Sequence, residues 1–175
     1  MNIEVAGHHL WNLRRAWAGA NLCRSRLAQA ENSAPVIDAG AFQIKDLRGR
    51  AGHDVDYYAW EGVRILKIVD KVIKAGLRGR DEVTRARDAL RAEAPLLEEF
   101  RNQVTHVEDN RGADDIVYFG DAVRLLPNGG VEYVVDPRYR QHDLLARLVA
   151  ATEAALLTLA SPDNGPLKRY DNSGA

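Results

Sequence analysis

Arg101-Asn102-Gln103-Val104-Thr105-His106 is the stretch on which the reading of the chain turns. Around it Leu97, Phe100, Val104 and Val107 recur at three- and four-residue steps and share one narrow arc of a helical wheel, the core stripe of an amphipathic helix. Asn102 and His106, four residues apart, fall on the opposite side with Glu99 and Asp109 beside them, and Arg101 lies at the edge of the apolar arc. An imidazole able to exchange a proton near neutral pH and a guanidinium able to clamp a phosphate therefore share about one helical turn. On a solvated face the same residue types carry no chemistry, so the surroundings decide.

Working outward, the sequence predicts helices on either side. Leu10, Leu13, Trp17, Ala20 and Leu27 give a first helix from about Gly7 to Glu31, with Trp11 and Trp17 expected to pack and Arg14, Arg15, Arg24 and Arg26 making its outer side basic. A second runs from Asp54, expected as its cap, to Ala75, with Gly76 just past its end. Its apolar arc is wide: Val55, Tyr58, Leu66, Val69 and Ile73 face a core, while Tyr57, Ile65, Ile68 and Val72 extend the surface further than one neighbour covers. Either a second copy of the chain covers the excess, or the helix is central to its own fold. Asp81 is expected to cap a third helix with a stripe of Val83, Ala86, Leu90 and Ala94, after which Pro95 kinks it or opens the helix that carries the motif.

Beyond Gly112 the period changes. Residues 116–119, 123–126 and 131–135, with Pro127-Asn128-Gly129-Gly130 between the last two, predict a β-hairpin near residues 116–135. A last helix from about Gln141 to Ala160 turns Leu145, Leu148, Val149, Thr152, Leu156 and Leu159 inward. Residues 33–52 form a long connection with a short extended piece at 42–44, and residues 161–175, rich in Pro, Gly, Asn and Ser, a flexible C-terminal tail. The expectation is one mainly α domain over residues 1–160.

Composition narrows the function classes. With 175 residues, 46% hydrophobic content and a net charge of -1, the chain is an ordinary globular protein and not a strongly basic nucleic-acid binder. Its charge is divided, however: residues 1–91 hold 16 Lys/Arg against 11 Asp/Glu, a net of +5, and residues 92–175 hold 8 against 14, a net of -6. The single Cys23 allows no internal disulfide and reads as a packed residue in a reducing compartment, so a cytoplasmic location with no membrane contact is expected. No glycine-rich phosphate cradle, paired-histidine zinc signature or nucleophile elbow is present, and adjacent His8 and His9 project in different directions. No cofactor and no metal are expected.

With four long helices predicted, an Arg-Asn followed four residues later by His on the third helical unit resembles the HEPN superfamily, the higher-eukaryote and prokaryote nucleotide-binding domains. The resemblance spans about residues 8–160, and its motif residues here are Arg101, Asn102 and His106. It implies an antiparallel four- to five-helix bundle that forms a homodimer, two motif copies meeting in one cleft, with metal-independent endoribonuclease activity in many members. His106 would then be the acid/base, Arg101 would stabilise charge on the phosphorane, and Asn102 would orient one of them or the phosphate. Asp109, one turn past His106, is placed by spacing to orient the imidazole.

RNA is thus the expected substrate, and an antitoxin protein a possible partner if the enzyme is a toxin or defence component. The chain departs from the family pattern in three ways: Glu108 stands where some toxin-type members have Tyr, the hairpin is additional, and Glu98, Glu99, Glu108 and Asp109 put negative charge beside the motif. Two alternatives use the same features without catalysis: a HEPN-like nucleotide- or RNA-binding scaffold, and an unrelated helical interaction protein.

Overall fold

The computed structural model describes the backbone of residues 1–33, 52–106, 123–125 and 131–160, and the side chains of residues 1–29, 54–100 and 133–159. The expected details at residues 34–51, Asp109, Gly112 and the tail 161–175 lie outside them. The described chain is mainly helical: α1 (Ile3–Ser33), α2 (Gly52–Lys74), α3 (Arg80–Glu93), α4 (Pro95–His106) and α5 (Arg140–Leu157), the last followed by a 3-10 turn (Thr158–Ala160). Between α4 and α5, β1 (Val123–Leu125) and β2 (Val131–Tyr133) pair antiparallel, with Val123 opposite Tyr133 and Arg124 opposite Glu132. They fall within the 116–135 span; residues 107–122 and 126–130 lie outside the described residues.

α2 is the centre of the core. It packs against α1, α3, α4 and α5, and Val55, Tyr58, Ala59, Val63, Ile65, Leu66, Ile68, Val69 and Val72 are all buried within this one chain. The width of its apolar arc is therefore accounted for by neighbours in the same chain, and the arc gives no support to a dimer. Tyr57, grouped with that arc in the sequence reading, instead stands 64% exposed.

α1 runs antiparallel to α2, Arg26 pairing with Asp54 at one end and Gly19 lying over Glu61 further along. It also runs antiparallel to α5, with Arg14 paired to Glu153 and Trp17 stacked on His142. Leu13, Ala16, Ala20, Cys23 and Leu27 make its buried face. Trp11, in contrast to expectation, is 57% exposed with the Arg15 guanidinium 5.3 Å from its ring centroid.

The α2–α3 corner is tight. Gly76 (φ 65°) and Gly79 (φ 88°) both take left-handed backbone that a β-carbon disfavours. Gly79 is itself the N-cap residue of α3, and no side chain caps that helix. Asp81 and Asp54 both sit inside the first turns of their helices, α3 and α2, so both act on the helix dipole without being the caps the sequence suggested. At the other end a single residue, Ala94, separates α3 from α4, and Pro95 takes the first position of α4, where its missing N–H is not needed.

α4 is seated on α2 by shape. Leu97 and Phe100 are buried; a β-carbon added at Gly62 would lie 3.3 Å from a Leu97 methyl, and Phe100 meets Trp60 edge-on with ring centroids 6.2 Å apart. Gly62 is thus the notch that admits the motif helix. Gly62→Val is expected to destabilise the fold by about 1–3 kcal/mol, the usual cost of overpacking a close crossing. A chemical-denaturation midpoint equal to that of the parent protein would refute the notch.

Candidate functional site

Leu97 meets Gly62 and Phe100 meets Trp60, so the first half of α4 lies against the N-terminal half of α2. The helix continues unbroken through His106. At about 100° per residue, Asn102 and His106 lie about 40° apart, on the face opposite the one that carries Leu97 and Phe100. Arg101 and His106 are separated by about 140° around the axis and about 7.5 Å along it. The helix brings Asn102 and His106 to one face and leaves Arg101 on its flank. Asp109 lies outside the described residues.

The start of α4 is fixed from the other side of the bundle. Gln141, at the beginning of α5, donates from Nε2 to the Glu93 carbonyl oxygen at 2.6 Å, and its Oε1 accepts from the Asp136 N–H. Arg140 pairs with Glu93 at 3.1 Å. Arg138 donates through Nε and Nη2 to both Asp136 carboxylate oxygens, at 3.0 and 2.9 Å, and its guanidinium lies 4.7 and 5.1 Å from the Tyr133 and Tyr139 ring centroids. A shallow cleft of about 220 Å³ opens here between Pro95, Leu96, Tyr133, Asp136 and Gln141. Glu93, Asp136 and Gln141 already bind one another or a neighbouring arginine, so this corner acts as a strut that sets the direction of α4.

The strongest buried polar cluster sits elsewhere. His142 Nδ1 is hydrogen-bonded to the Tyr58 hydroxyl at 2.8 Å, and Trp17 stacks on the same imidazole with centroids 5.0 Å apart. Both partners are inside the core, Tyr58 at 0% exposure and His142 at 3%. Burial, helped by nearby Arg24, holds the His142 pKa below its ordinary value against the opposing pull of Asp143, and burial raises that of Tyr58. The neutral imidazole and neutral phenol are the forms this site holds. The cluster ties α1, α2 and α5 together. Its sequence signal was available, since His142 precedes Leu145 by three residues and Val149 by seven and so shares their inward arc.

Other reactive side chains are subdued in the same way. The Cys23 thiol is pushed up to about 11, chiefly by burial and then by Asp54 and Glu61, so the thiolate nucleophile is disfavoured at neutral pH. Its reaction with a disulfide reagent is expected to be slow in the folded protein and complete after denaturation; a fast native reaction would show that Cys23 is not packed. His9 is buried and its pKa is lowered, first by burial and then by Lys71 and His8. Among the described residues, no group of three or more His, Cys, Asp or Glu side chains is placed to hold a metal ion, and no helix is long and apolar enough to cross a membrane.

The chain matches no protein-family profile, no curated protein and no solved structure. The functional reading therefore rests on α4 and on what surrounds it.

Proposed function

We propose that the protein is a HEPN-like, metal-independent endoribonuclease, built as one domain over residues 1–160 and active as a homodimer with a composite Arg101, Asn102 and His106 site. The observation that carries the reading is the course of α4: one continuous helix that sets Asn102 and His106 a turn apart on the face opposite buried Leu97 and Phe100. The separation of Arg101 from His106 around that helix favours a site completed by a second copy. A role as a toxin or defence component in the cytoplasm, restrained by an antitoxin protein, belongs to the same reading.

In this scheme His106 takes the proton from a ribose 2′-hydroxyl as its oxygen attacks the adjacent phosphorus. Arg101 stabilises the added negative charge on the phosphorane, Asn102 holds the phosphate or the imidazole, and the 5′-oxygen departs with a proton. The product strand ends in a 2′,3′-cyclic phosphate. Incubating the protein with RNA in excess chelator and analysing the new ends tests this directly. Cyclic phosphate ends are expected; intact RNA, or cleavage that stops when metal is removed, would sink the proposal.

A second reading has its own observation. The apolar arc of α2 is filled by its own chain, which removes one reason to expect a dimer and favours a non-catalytic HEPN-like scaffold or an unrelated helical interaction protein. Mass measurement in solution tests the composite site, since a strict monomer at working concentration is incompatible with it, whereas a dimer leaves enzyme and scaffold to be divided by the RNA assay.

A further inference from the structure

The outward strip of α2 carries an order that packing does not require. Tyr57, Trp60, Arg64, Lys67, Lys71 and Lys74 succeed one another at three- and four-residue steps along its solvent side, over about 25 Å. They form two rows at seven-residue spacing, Tyr57-Arg64-Lys71 and Trp60-Lys67-Lys74, each an aromatic residue followed by two cations. Lys67, Lys71 and Lys74 are exposed, and Tyr57 keeps most of its surface in water. Arg64 is partly exposed and pairs with Glu61 at 2.8 Å, while Asp56 and Asp70 lie at the margin of the strip.

The neighbouring α3 differs. On α3, cations alternate with acids, and Arg80 and Arg87 pair with their neighbours Asp81 and Asp88. On α2, four cations from Arg64 to Lys74 face one acid, Asp70, and Arg15 of α1 adds its field at the Glu61 edge. The strip also has a direction. Its aromatic end, Tyr57 and Trp60, is the end that α4 touches, because Phe100, the residue before Arg101, meets Trp60.

We infer that this strip is a track for single-stranded RNA: Lys67, Lys71, Lys74 and Arg64 contact successive phosphates, Tyr57 stacks on a base, and the strand is delivered toward Arg101 and His106. The inference rests on the ribonuclease reading for its destination but not for its binding chemistry. A line of cations complements a polyanion, an exposed aromatic complements an unpaired base, and together they bind without sequence preference. The track also resolves the charge conflict at the motif. The acids Glu98 and Glu99 beside Arg101 repel RNA, while the cations of α2 hold the strand from one side.

The test is binding of a labelled oligouridylate by the His106→Ala protein, which removes cleavage from the measurement. The affinity is expected to fall with salt on a linear log-log plot. Lys67→Gln/Lys71→Gln/Lys74→Gln should lower the slope by about 2, since each single-strand phosphate contact contributes about 0.7. Affinity should drop at least tenfold, the triple arginine variant should retain it, and Tyr57→Ala should lose roughly fivefold or more.

Unchanged affinity and slope in the glutamine variant, or no binding by the His106→Ala protein, would overturn the track. So would polyglutamate competing as well as oligouridylate at equal charge, which would assign the strip to an acidic protein. Binding by the parent protein without cleavage would leave the track standing and remove the ribonuclease. Cleavage with binding indifferent to the three lysines would do the reverse.

Discussion

His106→Ala is expected to lower RNA cleavage in excess chelator by about 10²–10⁴-fold, the usual worth of a positioned acid/base. Arg101→Ala is expected to cost about 10²–10³-fold, the usual effect of removing one group that stabilises developing charge on an oxyanion. Neither change should disturb the fold through α4 itself, because alanine is the strongest helix former and the helix is anchored by Leu97 and Phe100 in its first half. Parent-like melting curves beside lost cleavage would separate chemistry from unfolding. The composite nature of the site adds a sharper expectation. If Arg101 of one copy works with His106 of another, mixing the two inactive variants restores part of the activity, because some mixed dimers hold one intact pair. Activity that persists in either single variant removes these residues from the chemistry, and inactive variants that never complement place the pair within one copy.

The helical framework was legible because burial leaves a period in the sequence. Val83 and Leu90 of α3, Ala94 just after it, Leu97 and Phe100 of α4, and Leu145, Leu148, Val149, Thr152 and Leu156 of α5 carry that period and are buried. Trp11 was misjudged by residue type, although the period itself had the answer: it lies about 160–200° from Leu13 on the wheel and so on the opposite face. The α2 arc posed a different difficulty. A wide apolar surface records that something covers it, not whether the cover comes from the same chain. Asp81 offered good capping chemistry, but the two-glycine corner gave the cap position to Gly79, and the tertiary turn outweighed the local preference.

The motif shows the same division between local and non-local information. The placement of Asn102 and His106 on one face follows from a four-residue spacing and the neighbouring stripe, both written in the sequence. What fixes the aim of α4 does not: the Gly62 notch, the Trp60–Phe100 contact and the Gln141 bridge to Glu93 join residues far apart in the chain. His142 was missed because a histidine at the start of a helix reads as polar, and its inward arc becomes meaningful once Tyr58 and Trp17 are known to meet it.

Tyr58→Ala is expected to destabilise the protein by about 3–5 kcal/mol, the range for removing a large aromatic side chain from a packed core. Tyr58→Phe isolates the polar part: it keeps the ring and deprives His142 Nδ1 of its partner, at about 1–3 kcal/mol for a buried group left unsatisfied. His142→Phe leaves the Tyr58 hydroxyl stranded in turn, so the double variant should be less destabilised than the two single changes added together. The pH dependence gives an independent reading. The His142 pKa is lowered by folding, so its stabilising contribution is complete above the unfolded value of about 6.5 and is lost as pH falls below it, because the unfolded chain then takes up a proton that the folded site resists. His9 works in the same sense, while Glu61, whose pKa is raised by burial, works in the opposite sense from the carboxylate range upward. Both remain in the His142→Phe protein, so the difference between the two proteins isolates His142. Denaturant unfolding followed from pH 7.5 to 5.5 should show a steeper loss in the parent protein, with a slope difference of no more than about 1.4 kcal/mol per pH unit for one proton. Parallel pH profiles would mean that His142 is not held neutral between Trp17 and Tyr58.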